Sequence, residues 1–335
     1  MTSAEAHTVF QKPTGPYAVG TQTRHWIDPQ RPEQLTQYPS DVRELLIQFW
    51  YPAQSDPKGK KADYHSDPKV ITKDAVAVFH LPAFIARRLT TSTTNSLLNS
   101  KVSDNQPQYP VVIFSPGLNG SRVQNTFQAE ELASHGYIVV AIEHAHGSIG
   151  CVFPDGRHAN TIEFGRIFNE KGFDYFLLDI WRDDIRFVLD ELEKVNENDP
   201  QEFFTNKLNL SKVGIIGHSL GGAAAAHTMT VDKRFKAGIN LDGFLAGKEY
   251  KIEFEEPFMQ IRSEINTKKG PRKKEEKDPN MEETFIDFTI PKTNHYSFTD
   301  LPLVMPFQWL TGNKAEKIHR KINQYTLEFF DRYLK

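Results

Sequence analysis

Apolar residues along the chain fall into two kinds of run. Short, mainly apolar runs have the length of buried strands: residues 45–51, 110–114, 137–142, 213–216, 237–241, 258–261 and 285–290. Pro52 is expected to end the first of them. Between the runs lie segments with an apolar residue every three or four positions. In residues 173–195, Leu177, Trp181, Ile185, Val188 and Leu192 share one helical face. In residues 314–333, Ile318, Ile322, Tyr325 and Phe329 do the same. A helix ending at His135 takes Gly136 as its C-cap, and a small-residue helix follows over 220–229. Residues 75–89 read as helix broken by Pro82, with more apolar side chains than a surface segment needs. Residues 13–16 and 28–40 are turn-rich.

Short apolar strands alternating with helices predict an α/β fold: a mostly parallel sheet with helices on both faces. No linker divides the chain and no repeat recurs. The expected organisation is one domain over 1–335. It carries an N-terminal extension at about 1–40, an apolar cap-like segment at about 71–100 and a charged surface insertion at about 266–283.

Composition narrows the function classes. The 335 residues are 39% hydrophobic, enough for a large core. Forty basic against 43 acidic side chains leave a formal charge of -3, so no positive excess exists to hold a nucleic acid. The single cysteine, Cys151, excludes an internal disulfide framework and a cysteine-based zinc cluster. No apolar run is long enough to span a bilayer, and residues 1–11 lack the core of a signal peptide. The chain as written therefore reads as cytoplasmic, or as a mature form whose leader has been removed.

The chemistry starts at Gly217-His218-Ser219-Leu220-Gly221, a G-x-S-x-G pattern between a strand and a small-residue helix. That setting lifts the serine hydroxyl above a sheet edge on a strained turn. A serine needs a base, and the base needs an orienting carboxylate. Three histidines follow Ser219. His227 lies on the elbow helix and points away, and His319 falls on the expected outer side of the last helix. His295 follows a strand in a loop and is the base expected here. Asp242 ends the strand 237–241 and is the expected acid; Asp287 and Asp300 fit less well. Two backbone N–H groups must hold the oxyanion. Leu220 supplies one. Leu118, in the loop after strand 110–114, supplies the other, with Asn119 as the alternative. Glu143, His144 and His146 invite a metal reading, but adjacent residues rarely converge on one ion. One of these histidines could instead line the site.

These motifs resemble a known family. Gly217 to Gly222, the Leu241-Asp242-Gly243 step, the segment from Thr293 to Asp300, and Phe114-Ser115-Pro116-Gly117-Leu118 are similar to platelet-activating factor acetylhydrolases of the plasma and type II kind. Bacterial relatives of that family are carboxylic ester hydrolases. The likeness runs from about Pro13 to the C-terminus. It implies an α/β-hydrolase fold, no metal or cofactor, a triad of Ser219, Asp242 and His295, and oxyanion donors at Leu118 and Leu220. One departure is Pro116-Gly117, where the family often has His-Gly before the oxyanion leucine. The elbow is also similar to that of bacterial cutinase-like polyester hydrolases.

The resemblance implies a small-molecule ester substrate, with short acyl chains on phospholipids or small esters generally. Lipase, thioesterase and polyester-oligomer hydrolysis are the alternatives within the fold, and a non-catalytic binding protein lies outside them. Phe153, Phe164, Phe168, Phe173 and Phe176 are candidate walls of an acyl pocket. Residues 79–89 and 301–310 are apolar surface candidates, packed as a lid or touching a lipid interface.

Overall fold

The computed structural model describes residues 8–80, 82–161, 168–169, 172–173, 175–245, 253–267, 284–304 and 314–335. Strands β5 (Tyr109–Ser115) and β6 (Ile138–His144) are buried at every position, and β9 (Leu208–His218) is buried over its last six. Side chains alternate between faces in a strand, so both faces must be covered. Val111 and Ile113 face α4 (Phe176–Glu197) and α5 (Leu220–Val231) in one apolar cluster. Val112 and Phe114 face α3 (Thr126–Ser134) and α8 (Lys314–Leu334) in the other.

The remaining strands are β1 (Ala18–Pro32), β2 (Val42–Ala53), β3 (Lys61–Asp63), β4 (Thr93–Leu98), β10 (Phe235–Leu241), β11 (Phe258–Ser263) and β12 (Phe285–Ile290). A two-stranded ribbon of β7 (Phe168–Asn169) and β8 (Gly172–Phe173) stands apart. Among the described residues, ten strands form one sheet in the order β12-β11-β10-β9-β5-β6-β2-β1-β4-β3. The six from β12 to β6 run parallel, and β2 turns antiparallel against β6. This is a mixed α/β sheet of the α/β-hydrolase kind, as the strand and helix pattern predicts.

Three local expectations change. Residues 18–32 form a full strand where turns were expected from 28 onward. Pairing with β2 from Ala18↔Ala53 to Asp28↔Arg43 overrides the turn residues, and a bulge between Asp28 and Pro32 absorbs the irregularity. Pro52 does not end β2. Pairing with β6 stops at Trp50↔Val139, so the missing N–H of Pro52 faces no partner strand there. Third, the segment at 71–100 divides into α1 (Pro68–Phe79), α2 (Ala83–Thr90) and strand β4. The break between the two helices falls beside Pro82, as expected. Most of the charged insertion, residues 268–283, lies outside the described residues.

Candidate active site

Four loops leave the C-terminal ends of the parallel strands β5, β9, β10 and β12, and the predicted site residues stand on them. The turn after β9 carries Ser219 at φ 54° and ψ −121°, a conformation costly for any residue with a Cβ. It closes because both flanking glycines are bare. A Cβ on Gly217 would collide with the Gly221 carbonyl, and one on Gly221 with the carbonyls of Ser115 and Pro116. The Ser219 N–H is held by the Leu241 carbonyl at 2.9 Å. Its side chain therefore stands at the N-terminus of α5, where the helix dipole favours negative charge.

His295 opens a single 3₁₀ turn, His295–Phe298, capped by Asn294. Its Nε2 lies 2.9 Å from Ser219 Oγ and its Nδ1 lies 2.8 Å from Asp242 Oδ2. The Nδ1–H donates to the carboxylate, which leaves Nε2 to accept the serine proton. Asp242 is buried, and its other bonds hold it still: Oδ1 accepts from the Ser263 N–H at 2.6 Å and Oδ2 from Asn266 Nδ2 at 2.7 Å. Asp242 itself takes a positive φ of 54°, and Gly243 behind it packs against the Ser219 carbonyl so closely that a Cβ would collide. The His295 side chain stays 33% exposed, so water reaches the imidazole.

The loop after β5 runs beside the serine. A Cβ on Gly117 would sit 3.2 Å from Ser219 Cβ. Leu118 lines the cavity above the serine. The Asn119 N–H donates to the Gly147 carbonyl at 2.8 Å and is spent there, so the alternative donor is removed. The N–H of Leu220 belongs to the first residue of α5, where helical N–H groups have no partner within the helix.

The other candidates go elsewhere. His227 is buried on α5 with Nδ1 3.9 Å from Asp179. His319 is not on the outer side of α8; it is buried against Phe127 at a ring distance of 3.9 Å. Asp287 pairs with Arg262. Asp300 caps α3, accepting from the N–H groups of Thr126 and Phe127 at 2.8 and 3.1 Å. Nor does His144 line the site: it is buried between Ser115 Oγ (2.9 Å) and Asp184 (2.8 Å), stacked on Trp181. Glu143 binds Arg122, and His146 Nδ1 donates to the Asn160 carbonyl, so the three point to different partners. No cluster of three or more metal-ligating side chains occurs among the described residues.

A cavity of about 520 Å³ opens over Ser219 and His295. Neither Phe153 nor Phe176, two of the five expected phenylalanines, lines it. Phe153 packs with Leu46 and Cys151 in a separate cluster, and Phe176 packs against the core. Phe164 lies outside the described residues, as do the side chains of Phe168 and Phe173. Among the described residues, the apolar wall comes largely from α1 and α2: Ile71, Ala75, Val78, Phe79, Ile85 and Ala86. The apolar excess in residues 75–89 was the sequence signal for it. Leu301 also lines the cavity, while residues 305–313 lie outside the described residues. Gln124 and His218 join the lining without having been singled out as site residues.

Comparison with known proteins gives the family. The family described as "Platelet-activating factor acetylhydrolase, isoform II" matches residues 2–166 and 189–323. A platelet-activating factor acetylhydrolase of Cavia porcellus is 27% identical over 360 residues, covering 98% of this chain and 78% of that protein. The one from Bos taurus is 31% identical over 185 residues, covering 47% of this chain and 40% of its own. A ferulic acid esterase from Streptomyces cinnamoneus has a solved structure that superposes with a TM-score of 0.71 at 25% identity, covering 96% of this chain and 92% of that one. The chain belongs to the platelet-activating factor acetylhydrolase isoform II family, and it is a serine-type carboxylic ester hydrolase.

Proposed function

We propose that this chain hydrolyses acetyl and other short-chain carboxylic esters, of the platelet-activating-factor-like or small-ester class, with Ser219, His295 and Asp242 as its triad. The observation that carries the reading is the unbroken path Ser219 Oγ–His295–Asp242, with bonds of 2.9 and 2.8 Å, on the floor of an apolar cavity. His295 Nε2 takes the hydroxyl proton as Ser219 Oγ attacks the ester carbonyl. The Leu118 and Leu220 N–H groups hold the oxyanion. The tetrahedral intermediate expels the alcohol, which leaves with the proton from His295. Water then attacks the acyl-enzyme by the same route, and the acid departs. Asp242 keeps the imidazole in the tautomer that can accept this proton and stabilises the imidazolium while it lasts.

Among the described residues, the cavity lining contains no lysine, arginine, aspartate or glutamate, which suits an uncharged acyl group. The rest of the molecule forms one domain on which α1 and α2 act as the cap. Phe79 and Phe84 stand exposed at the tip of that pair, next to the exposed Arg87 and Arg88, which supports contact with a lipid interface.

The test is hydrolysis of p-nitrophenyl acetate, butyrate and octanoate, with mass mapping of a fluorophosphonate adduct. The adduct falls on Ser219. Ser219→Ala loses turnover by about a millionfold while the melting temperature holds. Full activity in that variant overturns the assignment, and a preference for acyl chains above about eight carbons turns the reading toward a lipase.

A further inference from the structure

We infer that Gln124 and His218 form a positioning relay that ties the oxyanion loop to the catalytic base, resting on the triad reading above. The relay is continuous and every hydrogen has a direction. The Gly117 N–H donates to Gln124 Oε1 at 3.2 Å, which fixes the orientation of the amide. Gln124 Nε2 then donates to His218 Nδ1 at 3.0 Å and to Asn125 Oδ1 at 3.1 Å. His218 Nε2–H donates to the His295 carbonyl at 3.1 Å.

Each end of this chain lies one step from the reaction. Gly117 precedes Leu118, the proposed oxyanion donor. His218 precedes the nucleophile. The His295 carbonyl belongs to the base, and the two imidazoles lie against each other with centroids 4.5 Å apart. The same two side chains thus hold all three moving parts of the site in register. Catalysis depends on such register at the scale of tenths of an ångström.

Two further facts agree. Burial, then the neighbouring His295, push His218 down to about 3, so it stays neutral and keeps one donor and one acceptor. The loop also leaves room for the relay. A Cβ on Gly120 would collide with Gln124 Oε1, and one on Gly117 would sit 2.9 Å from His218 Nδ1. The 295–300 segment is pinned to the same strip of chain by Asn125 Nδ2 on the Phe298 carbonyl (2.8 Å) and by the Asp300 N–H on the Gln124 carbonyl (2.9 Å).

The experiment is steady-state hydrolysis of p-nitrophenyl butyrate by the full chain and four variants. Gln124→Met and His218→Phe keep shape but remove the relay's hydrogen bonds. Each lowers kcat about tenfold with KM within about twofold, because substrate still binds the same apolar wall. The double variant falls no further than the worse single, since either break severs the same relay. His218→Gln restores a donor toward the His295 carbonyl and recovers most of the loss. The relay is overturned by Gln124→Met keeping wild-type kcat, by losses that multiply in the double variant, or by an effect confined to KM. Gln124 is half-buried on the cavity wall, so Gln124→Met decides the matter even where His218→Phe does not fold. A wild type that neither turns over ester nor labels on Ser219 overturns the triad itself; variants that match an active wild type overturn the relay alone.

Discussion

His319 lies on the inner side of α8, 3% exposed and stacked nearly parallel on Phe127 at 3.9 Å. Burial pushes its imidazole from the ordinary 6.5 down to about 4, so the folded protein holds it neutral. A base with a lowered folded pKa gives stability that is present above the unfolded value and is lost as pH falls through the folded one. The window for His319 is therefore pH 6.5 down to about 4, and His218, pushed to about 3, extends the same trend to lower pH. Replacing the ring by His319→Phe preserves the stack and removes the titration. Between pH 7 and 4.5 the wild type loses about 2 kcal/mol more than the variant, read from urea unfolding at the two pH values. Equal losses would show that the imidazole is not the group responsible. The hydropathy pattern put His319 on the outer side because it counts histidine as polar. The buried stripe of α8 is wider than its apolar residues: Ala315, His319, Ile322 and Thr326 form it together, and Thr326 accepts from Gln128 Nε2 at 2.9 Å. By contrast, Ser219, Asp242 and His295 were legible one by one, because each sits at a strand end with a local signature. Gln124 was not, since nothing in a lone glutamine shows that the chain will bring His218 beside it.

The pair α1 and α2 lines the cavity over Ser219. Its apolar stretch read as a surface oddity, and the fold explains it: Ile71 and Ile85 are buried on the side that faces the cavity over Ser219. Which strand ends would face the pair was not written in the segment itself, so two of the acyl-wall candidates, Phe153 and Phe176, fell on residues that pack elsewhere. Strand β1 was missed for a similar reason. Its buried positions include Thr21, Gln22 and Arg24, which pattern reading counts as exposed. Two of them are buried because partners await them, the Phe49 carbonyl for the Thr21 hydroxyl at 2.7 Å and Asp199 for Arg24 at 3.0 Å. The apolar stretches of the parallel strands, such as residues 110–114 and 213–216, needed no such partner and were found by pattern reading. Ile85→Ala removes three carbons from the wall. Short acyl chains lose that contact and longer ones fill the space, so kcat/KM for butyrate falls about tenfold while that for octanoate changes little. An unchanged ratio in the p-nitrophenyl ester series would move the acyl group to another part of the cavity.

At the scale of the molecule, a buried ionic cluster joins elements that the sequence keeps far apart. Arg43 on β2 is 2% exposed, and it bonds Asp184 of α4 through Nε and Nη2 at 3.0 and 2.6 Å. It also reaches Glu33 at 2.8 Å and the Ala145 carbonyl at 2.9 Å. Arg31 adds a second cation on Asp184 at 2.9 Å, and His144 carries the contact on to Ser115 at the end of β5. Burial alone would raise the Asp184 carboxyl, but Arg43 and His144 beside it hold it well below the usual carboxylate range. Such a cluster is not a large net gain over a well-packed apolar core, because each charge gave up its water. Breaking it is another matter. Arg43→Met leaves Glu33 without its buried cation and Asp184 with only Arg31 and the His144 N–H, at a cost of about 3–5 kcal/mol in urea unfolding at pH 7. The same loss reaches the site, since Ser115 begins the turn into Pro116, Gly117 and Leu118. The surviving folded fraction should therefore hydrolyse p-nitrophenyl butyrate with a lower kcat at an unchanged KM. A loss of stability below about 1 kcal/mol would mean that solvent reaches the two carboxylates after the change, and that the cluster is not closed as its exposure indicates.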